Sequence, residues 1–347
     1  MNRNGVCYDV GRVLGHNWRP EFDLATISRE LQIIRDDLHC NCVRICARDP
    51  ERLVAAARVA LELGLEVWLS PELWDRPPAE TLDYLEDAAR RAQPLHAQWP
   101  GRVVFGVGTE VTLFMRGILP GRSLLRRVSL MRKDPARARR PDELNAFLAE
   151  ATTRVRREFH GALTYAALVW EPVDWSLFDV IGVDHFRDDR VKDRYVEMIA
   201  PLVDSGKPVV VTEFGMRAYV GASSSGTLGF GVVSIPSLVL HQLPLVGRFI
   251  RTRLKGHQTR DEDFQATEIT DTLEILQGAG VDGAFVCTFV DYLAPTDDDP
   301  RFDLDMSAMS IVTLLAHGRG TTYPDLTWEP KRAFHAVASF NAGHPPG

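Results

Sequence analysis

The sequence predicts an α/β fold, a single (β/α)8 TIM barrel with long loops after the fourth and seventh strands. Short apolar runs rich in β-branched residues alternate with amphipathic segments of helical period, the pattern of repeated βα units and a parallel sheet. Eight such units are counted along the 347 residues, a length that a barrel with insertions accommodates in one domain, 1–347. No glycine-rich phosphate loop follows the first strand, which favours closure over an open doubly wound sheet.

The first strand is read at 5–9, and a helix over 24–38 follows with Leu31, Ile34 and Leu38 on one face. The second strand is 42–47. Its helix starts after Asp49-Pro50, a capping residue followed by proline at the first helical position, and stops at Gly64. The third strand is 65–70, with a helix over 79–98, and the fourth is 102–107, closed by a helix over 141–159. The fifth strand is read at 163–170 and the sixth at 180–184, before a helix over 191–204. Val209, Val210 and Val211 mark the seventh strand. A helix over 262–278 leads to the eighth, 283–290, and the last helix is placed from about Trp328-Glu329-Pro330 to Phe340.

Two connections exceed the usual βα loop and are expected to carry function or a lid. The first, 111–140, is basic and interleaves arginine with leucine and methionine in SLLRRVSLMRK, a short amphipathic helix. It reads as a solvated surface, an anion site or an electrostatic landing patch. The second, 214–261, carries an apolar run at 226–250 that Pro236, His241, Gln242 and Pro244 interrupt, so it lacks the length of a transmembrane helix. It reads as a lid, a shallow membrane contact or a surface for self-association.

The chain is 45% hydrophobic and 25% charged, enough for a large core, and its net charge of −7 argues against nucleic acid as the main partner. The start shows no apolar stretch of the signal-peptide kind. Five cysteines, Cys7, Cys40, Cys42, Cys46 and Cys287, are irregularly spaced with no CxxC pair, so reduced thiols in a cytoplasmic protein are expected, with no metal and no cofactor. The partner expected is a small molecule or oligosaccharide.

In such barrels, side chains at the carboxyl ends of strands line the active-site mouth. Glu110 directly follows VVFGVGT and Glu213 directly follows VVVT. A glutamate there is costly to bury without a task or a partner, so the two are the leading catalytic candidates. The plain alternative is that either one caps a helix or pairs with an arginine. Asp9, Glu72, Glu171, Asp184, His185 and Asp291 are supporting strand-end candidates, balanced between binding substrate and satisfying a neighbour. Trp74, Trp170 and Tyr292 are candidates to stack on a sugar face or to fill the core. His16, Trp18 and His39 carry less information.

GVGTE at the fourth strand and VVVTEFG at the seventh resemble the acid/base and nucleophile segments of clan A glycoside hydrolases, the retaining barrel enzymes that include the cellulase-like family 5. The resemblance extends over nearly the whole chain in strand order. Arg44 in CNCVRICA is similar to the second-strand arginine beside the nucleophile, His185 to a position in the sixth-strand segment, and GAFVCTFVDY to the eighth strand. TWEPKRAF resembles the start of the final helix. The chain departs from the family at Thr109, where the asparagine that grips the sugar 2-hydroxyl is usual. It departs again at Phe186, in place of a tyrosine, and at Cys287, in place of a platform tryptophan.

The resemblance implies a retaining glycoside hydrolase or transglycosidase. Glu213 would be the nucleophile, kept ionised by Arg44, and Glu110 the acid and then the base. With both insertions flanking the carboxylates, a lid over a glycoside with an apolar portion is expected. The alternative is a biosynthetic enzyme on the same scaffold, using the two glutamates for acid/base chemistry on an amphiphilic small molecule.

Overall fold

Eight strands pair in sequence order and the last closes on the first, so the chain builds the expected parallel barrel. The computed structural model describes residues 1–11, 19, 21–133, 139–225, 231–241, 243, 245 and 247–345. The strands are β1 (Arg3–Asp9), β2 (Cys42–Ala47), β3 (Glu66–Pro71), β4 (Val103–Thr109), β5 (Ala162–Leu168), β6 (Ile181–Asp184), β7 (Val209–Phe214) and β8 (Gly283–Val286). Closure runs from Arg3↔Gly283 to Val6↔Val286 between β1 and β8. The strands are buried on both faces, which is why their sequences are near-continuous apolar runs. Cys42, Trp68, Val104, Val180, Val210 and Phe285 fill the barrel. Val43, Val67, Val103, Val209 and Val211 face the surrounding helices.

The helices are α1 (Leu24–Asp36), α2 (Pro50–Glu62), α3 (Pro78–Gln98), α4 (Val111–Phe114), α5 (Leu124–Lys133), α6 (Pro141–Glu158), α7 (Tyr195–Val203), α8 (Ala222–Ser225), α9 (Ile235–His241), α10 (Glu262–Gly278) and α11 (Arg332–Gly343). Their starts follow local chemistry. Asp23 accepts from the Thr26 N–H at 2.9 Å, Asp49 from the Glu51 N–H at 2.8 Å and Asp261 from the Phe264 N–H at 2.9 Å, each satisfying a donor that the first turn leaves open.

Some boundaries move. β5 ends at Leu168, whose carbonyl accepts the Glu171 N–H in a turn, and β8 ends at Val286, just before the cis peptide Cys287–Thr288. The last helix starts at Arg332. The Trp328–Pro330 segment expected to open it is instead a strand, β10, antiparallel to β9 (Val312–Leu314) with Trp328 opposite Leu314. Two buried side chains hold this segment extended. The Trp328 indole donates to Glu30 at 2.8 Å, and the Lys331 ammonium lies 2.9 Å from Asp305, with both partners of that pair fully buried.

The register is interrupted beside both glutamates. Between β4 and β5 it shifts from Gly106 to Thr109, and between β6 and β7 the pairing passes from Val183↔Val211 to Asp184↔Glu213. Strict alternation from Val210, which fills the barrel, would send Glu213 outward. A bulge lets the consecutive residues Thr212 and Glu213 both reach inward contacts.

Both insertions lie on the carboxyl-end side of the barrel. The first packs Leu113, Leu119 and Met131 against Leu168, with Trp170 half-buried beside them. Its Arg127 is fully buried, donating to the carbonyls of Leu113 (2.6 Å), Gly121 (3.1 Å) and Phe114 (3.2 Å) and to Asp75 (3.0 Å). This arginine of the basic run therefore tethers the loop. The second insertion packs Met216, Tyr219, Ala222 and Leu254 with Met306 of the loop after β8. It leaves Val239, Leu240, Leu243, Leu245 and Phe249 exposed. Among the described residues, no helix is long and apolar enough to cross a membrane.

Candidate active site

Arg44 organises the mouth. It is an inward residue of β2, and its guanidinium is 2.5 Å from Glu213 Oε1 through Nη1. Through Nη2 it donates to Ser70 Oγ at 2.9 Å and Thr109 Oγ1 at 3.0 Å. Glu72 Oε1 lies 3.9 Å from the same nitrogen and accepts from Ser70 at 3.2 Å. Burial opposes the charge of Arg44, but the carboxylates of Glu213 and Asp184 beside it hold the guanidinium firmly protonated. One cation thus links Glu213 to Thr109, the residue preceding Glu110.

Glu110 sits just past the end of β4 with φ 41° and ψ 45°, a left-handed conformation uncommon outside glycine. Its N–H donates to the Ala166 carbonyl at 2.8 Å, and its carbonyl accepts from Leu113 and Phe114 at 2.8 and 2.9 Å. A second buried carboxylate supports this turn. Glu171 accepts from the Thr112 N–H at 3.3 Å, the Leu168 N–H at 2.8 Å and the Tyr165 hydroxyl at 3.0 Å. The Tyr165 hydroxyl in turn accepts from the Val111 N–H at 2.8 Å. Burial pushes the Glu171 carboxyl up to about 7, against the pull of those donors.

The other candidates divide by surroundings. Asp184 lies beside β7 and accepts from Thr212 Oγ1 at 2.7 Å. The His185 ring stacks on Tyr195 of α7 with centroids 3.8 Å apart, and its Nε2 is 2.8 Å from the Tyr195 carbonyl. Burial pulls its pKa down to about 4, so it is neutral. Trp74 stacks on Phe114 at 4.1 Å, joining the loop after β3 to the first insertion. Asp9 and Asp291 accept from main-chain N–H groups of Gly11 (2.8 Å) and Leu293 (2.9 Å) at the ends of their turns. Tyr292 donates to Glu30 and carries the Arg19 guanidinium over its ring at 4.5 Å. It belongs to a buried group with Tyr8, Glu30 and Trp328. His16 and Trp18 lie outside the described residues.

Ser70 and Tyr165 are not singled out by the sequence, although Ser70 accepts from Arg44 and Tyr165 holds the Val111 N–H of the turn after Glu110. Ser70 was reachable in principle, since it lies two residues past the inward Trp68 on β3. Tyr165 gave no such signal, because it packs with the outer core while only its hydroxyl reaches the turn.

Comparison with known proteins yields no matching family model and no matching curated relative. Among solved structures, a GH113 β-1,4-mannanase is similar with a TM-score of 0.61 and 14% identity, covering 99% of this chain and 100% of that one. A GH113 β-mannanase from Alicyclobacillus acidocaldarius gives 0.58 at 15% identity, covering 98% and 97%. A β-D-glucuronidase from Dictyoglomus thermophilum gives 0.57 at 16% identity, covering 100% of this chain and 51% of that one, so the chain spans about half of its length. At such identities the likeness establishes one thing, that this chain has the barrel fold of those glycoside hydrolases.

Proposed function

We propose that the chain is a retaining glycoside hydrolase or transglycosidase, with Glu213 as nucleophile and Glu110 as acid/base. The observation that carries this reading is the Arg44 bridge between Glu213 and the β4 end that bears Glu110. Arg44 binds Glu213 Oε1, supplying counter-charge and orientation, and the Glu213 carboxylate attacks the anomeric carbon. Glu110 donates its proton to the leaving oxygen as the glycosidic bond breaks, giving a glycosyl ester on Glu213. It then takes a proton from water, or from an acceptor hydroxyl, which attacks the anomeric carbon and releases the sugar. The barrel likeness to mannanases and a glucuronidase supports the same class of chemistry.

Residues 1–347 are taken as one barrel unit, with 111–140 and 214–261 as insertions over its mouth. The exposed apolar side chains of the insertions, Leu125 in the first and Val239, Leu240 and Leu243 in the second, suit a glycoside with an apolar portion. The five cysteines are buried and form no disulfide, which is compatible with a reducing cytoplasm.

A second reading is favoured by Thr109, whose hydroxyl is already engaged by Arg44 and Ser70. In that reading the glutamates perform acid/base chemistry without a glycosyl ester. Incubation with 2-deoxy-2-fluoro glycosyl fluorides followed by peptide mass spectrometry separates the two. A glycosyl adduct on Glu213 is the expected result, and turnover of the natural substrate with no adduct from any sugar would replace the first reading by the second.

A further inference from the structure

The geometry points to a binding site for one thiophilic divalent cation, of the zinc and cadmium class, formed by Cys7, Glu213 and Cys287. Their two sulfurs and one carboxylate oxygen all lie within 4.8 Å of one another, and all three residues are buried. Ligand atoms around a tetrahedral zinc ion stand about 3.3 to 3.8 Å apart for bonds of about 2.0 to 2.3 Å, so side-chain rotation is the adjustment required. The backbone under the site is already fixed. The Cys287 N–H donates to the Phe214 carbonyl at 2.7 Å, and the Cys7 carbonyl accepts from Phe289 N–H at 2.9 Å and Thr288 Oγ1 at 2.8 Å.

Charge is offset locally, with Glu72 also drawing on Arg44 at 3.9 Å. On coordination each thiol releases its proton to solvent, leaving two thiolates and one carboxylate. Their three negative charges are met by the two of the cation and the one of Arg44. That guanidinium touches two of the three ligands, Glu213 Oε1 at 2.5 Å and Cys7 Sγ at 3.7 Å, as an outer partner that orients a first ligand shell. Three protein ligands leave one tetrahedral position for water or another small ligand. Spacing along the chain could not reveal the site, because β1 and β8 meet only when the barrel closes.

The test reads metal binding and not turnover, so it stands apart from the glycosidase reading. The full chain, reduced and freed of metal, is titrated with Cd2+ while the ultraviolet thiolate-to-cadmium charge-transfer band is followed. One Cd2+ per chain is expected, with Zn2+ competing for it. Cys7→Ser and Cys287→Ser should each remove about half of the band and weaken binding at least ~10-fold, and Glu213→Gln should weaken it while leaving the band intact. Cys40→Ser, remote from the site, should bind like the parent. Each variant's fold is verified by circular dichroism, and the Glu213→Gln arm decides if a cysteine variant fails to fold. The proposal is overturned by the absence of stoichiometric binding, by binding that survives both serine substitutions, or by loss on changing Cys46, the neighbouring thiol, in their place.

Discussion

Arg44 and Glu213 meet at 2.5 Å across the barrel, from β2 to β7, with side chains only 3% and 7% exposed. Removing one partner of such a pair leaves the other charge in a poorly solvating interior. Arg44→Leu should therefore cost about 3–5 kcal/mol in urea unfolding. Combining it with Glu213→Leu should cost clearly less than the sum of the single changes. Strict additivity would mean that the pair is not energetically coupled.

Glu110→Gln should lower kcat by about 10²–10⁴-fold on glycosides with poor leaving groups, the usual contribution of a general acid. The loss should shrink on aryl glycosides whose leaving group departs without protonation. An equal loss on both substrate types would remove Glu110 from the acid role.

Glu171 links pH to stability. Folding raises its pKa from 4.5 to about 7, so over that interval the folded chain holds a proton that the unfolded chain has released. The stabilisation is complete below pH 4.5 and is lost as pH rises through 7, by roughly 3 kcal/mol in all. Urea unfolding across this range should show a falling contribution that Glu171→Gln removes. A variant with the parent's pH slope would contradict it.

Arg127→Met should loosen the first insertion, because three carbonyls and Asp75 lose their donor together. Each buried acceptor left without a partner costs about 1–3 kcal/mol. Hydrogen exchange should accelerate at residues 113–121 while the barrel strands keep their protection. Uniform acceleration over the whole chain would show that the arginine supports the global fold instead.

Leu245 and Phe249 are 82% and 76% exposed on the second insertion. Sedimentation velocity is expected to show concentration-dependent self-association that Leu245→Asp combined with Phe249→Asp abolishes. A parent chain that stays monomeric at every concentration would exclude this surface as a dimer contact.

The barrel was legible because both of its periods are written in the residues: apolar runs for strands buried on two faces, and capped amphipathic stretches such as 50–62 behind Asp49-Pro50. Glu110, Glu213 and Arg44 were legible as polar residues within or just after such runs. Of the contacts among them, the family resemblance implied the Arg44–Glu213 pair, while the link from Arg44 to Thr109 was not legible. Arg44 reaching both Thr109 and Glu213 depends on two register shifts; Gly106 and Gly108, the latter at φ 95°, mark the first, whereas Val211–Glu213 announces no bulge by composition. Trp328 illustrates the converse case. Its neighbours suggested a helix start, and a buried tertiary hydrogen bond to Glu30 made it a strand.

A register offset comes in whole residues. The extra residue in β7 therefore acts as a discrete setting that no gradual change in side-chain size can imitate. Deleting one residue upstream in that strand would carry Glu213 into the inward place that Thr212 holds and bring Phe214, now packed against the helices, to the place that faces Arg44. Redesign of this mouth consequently has two separate levers: side-chain identity, which adjusts the chemistry by degrees, and strand length, which switches it.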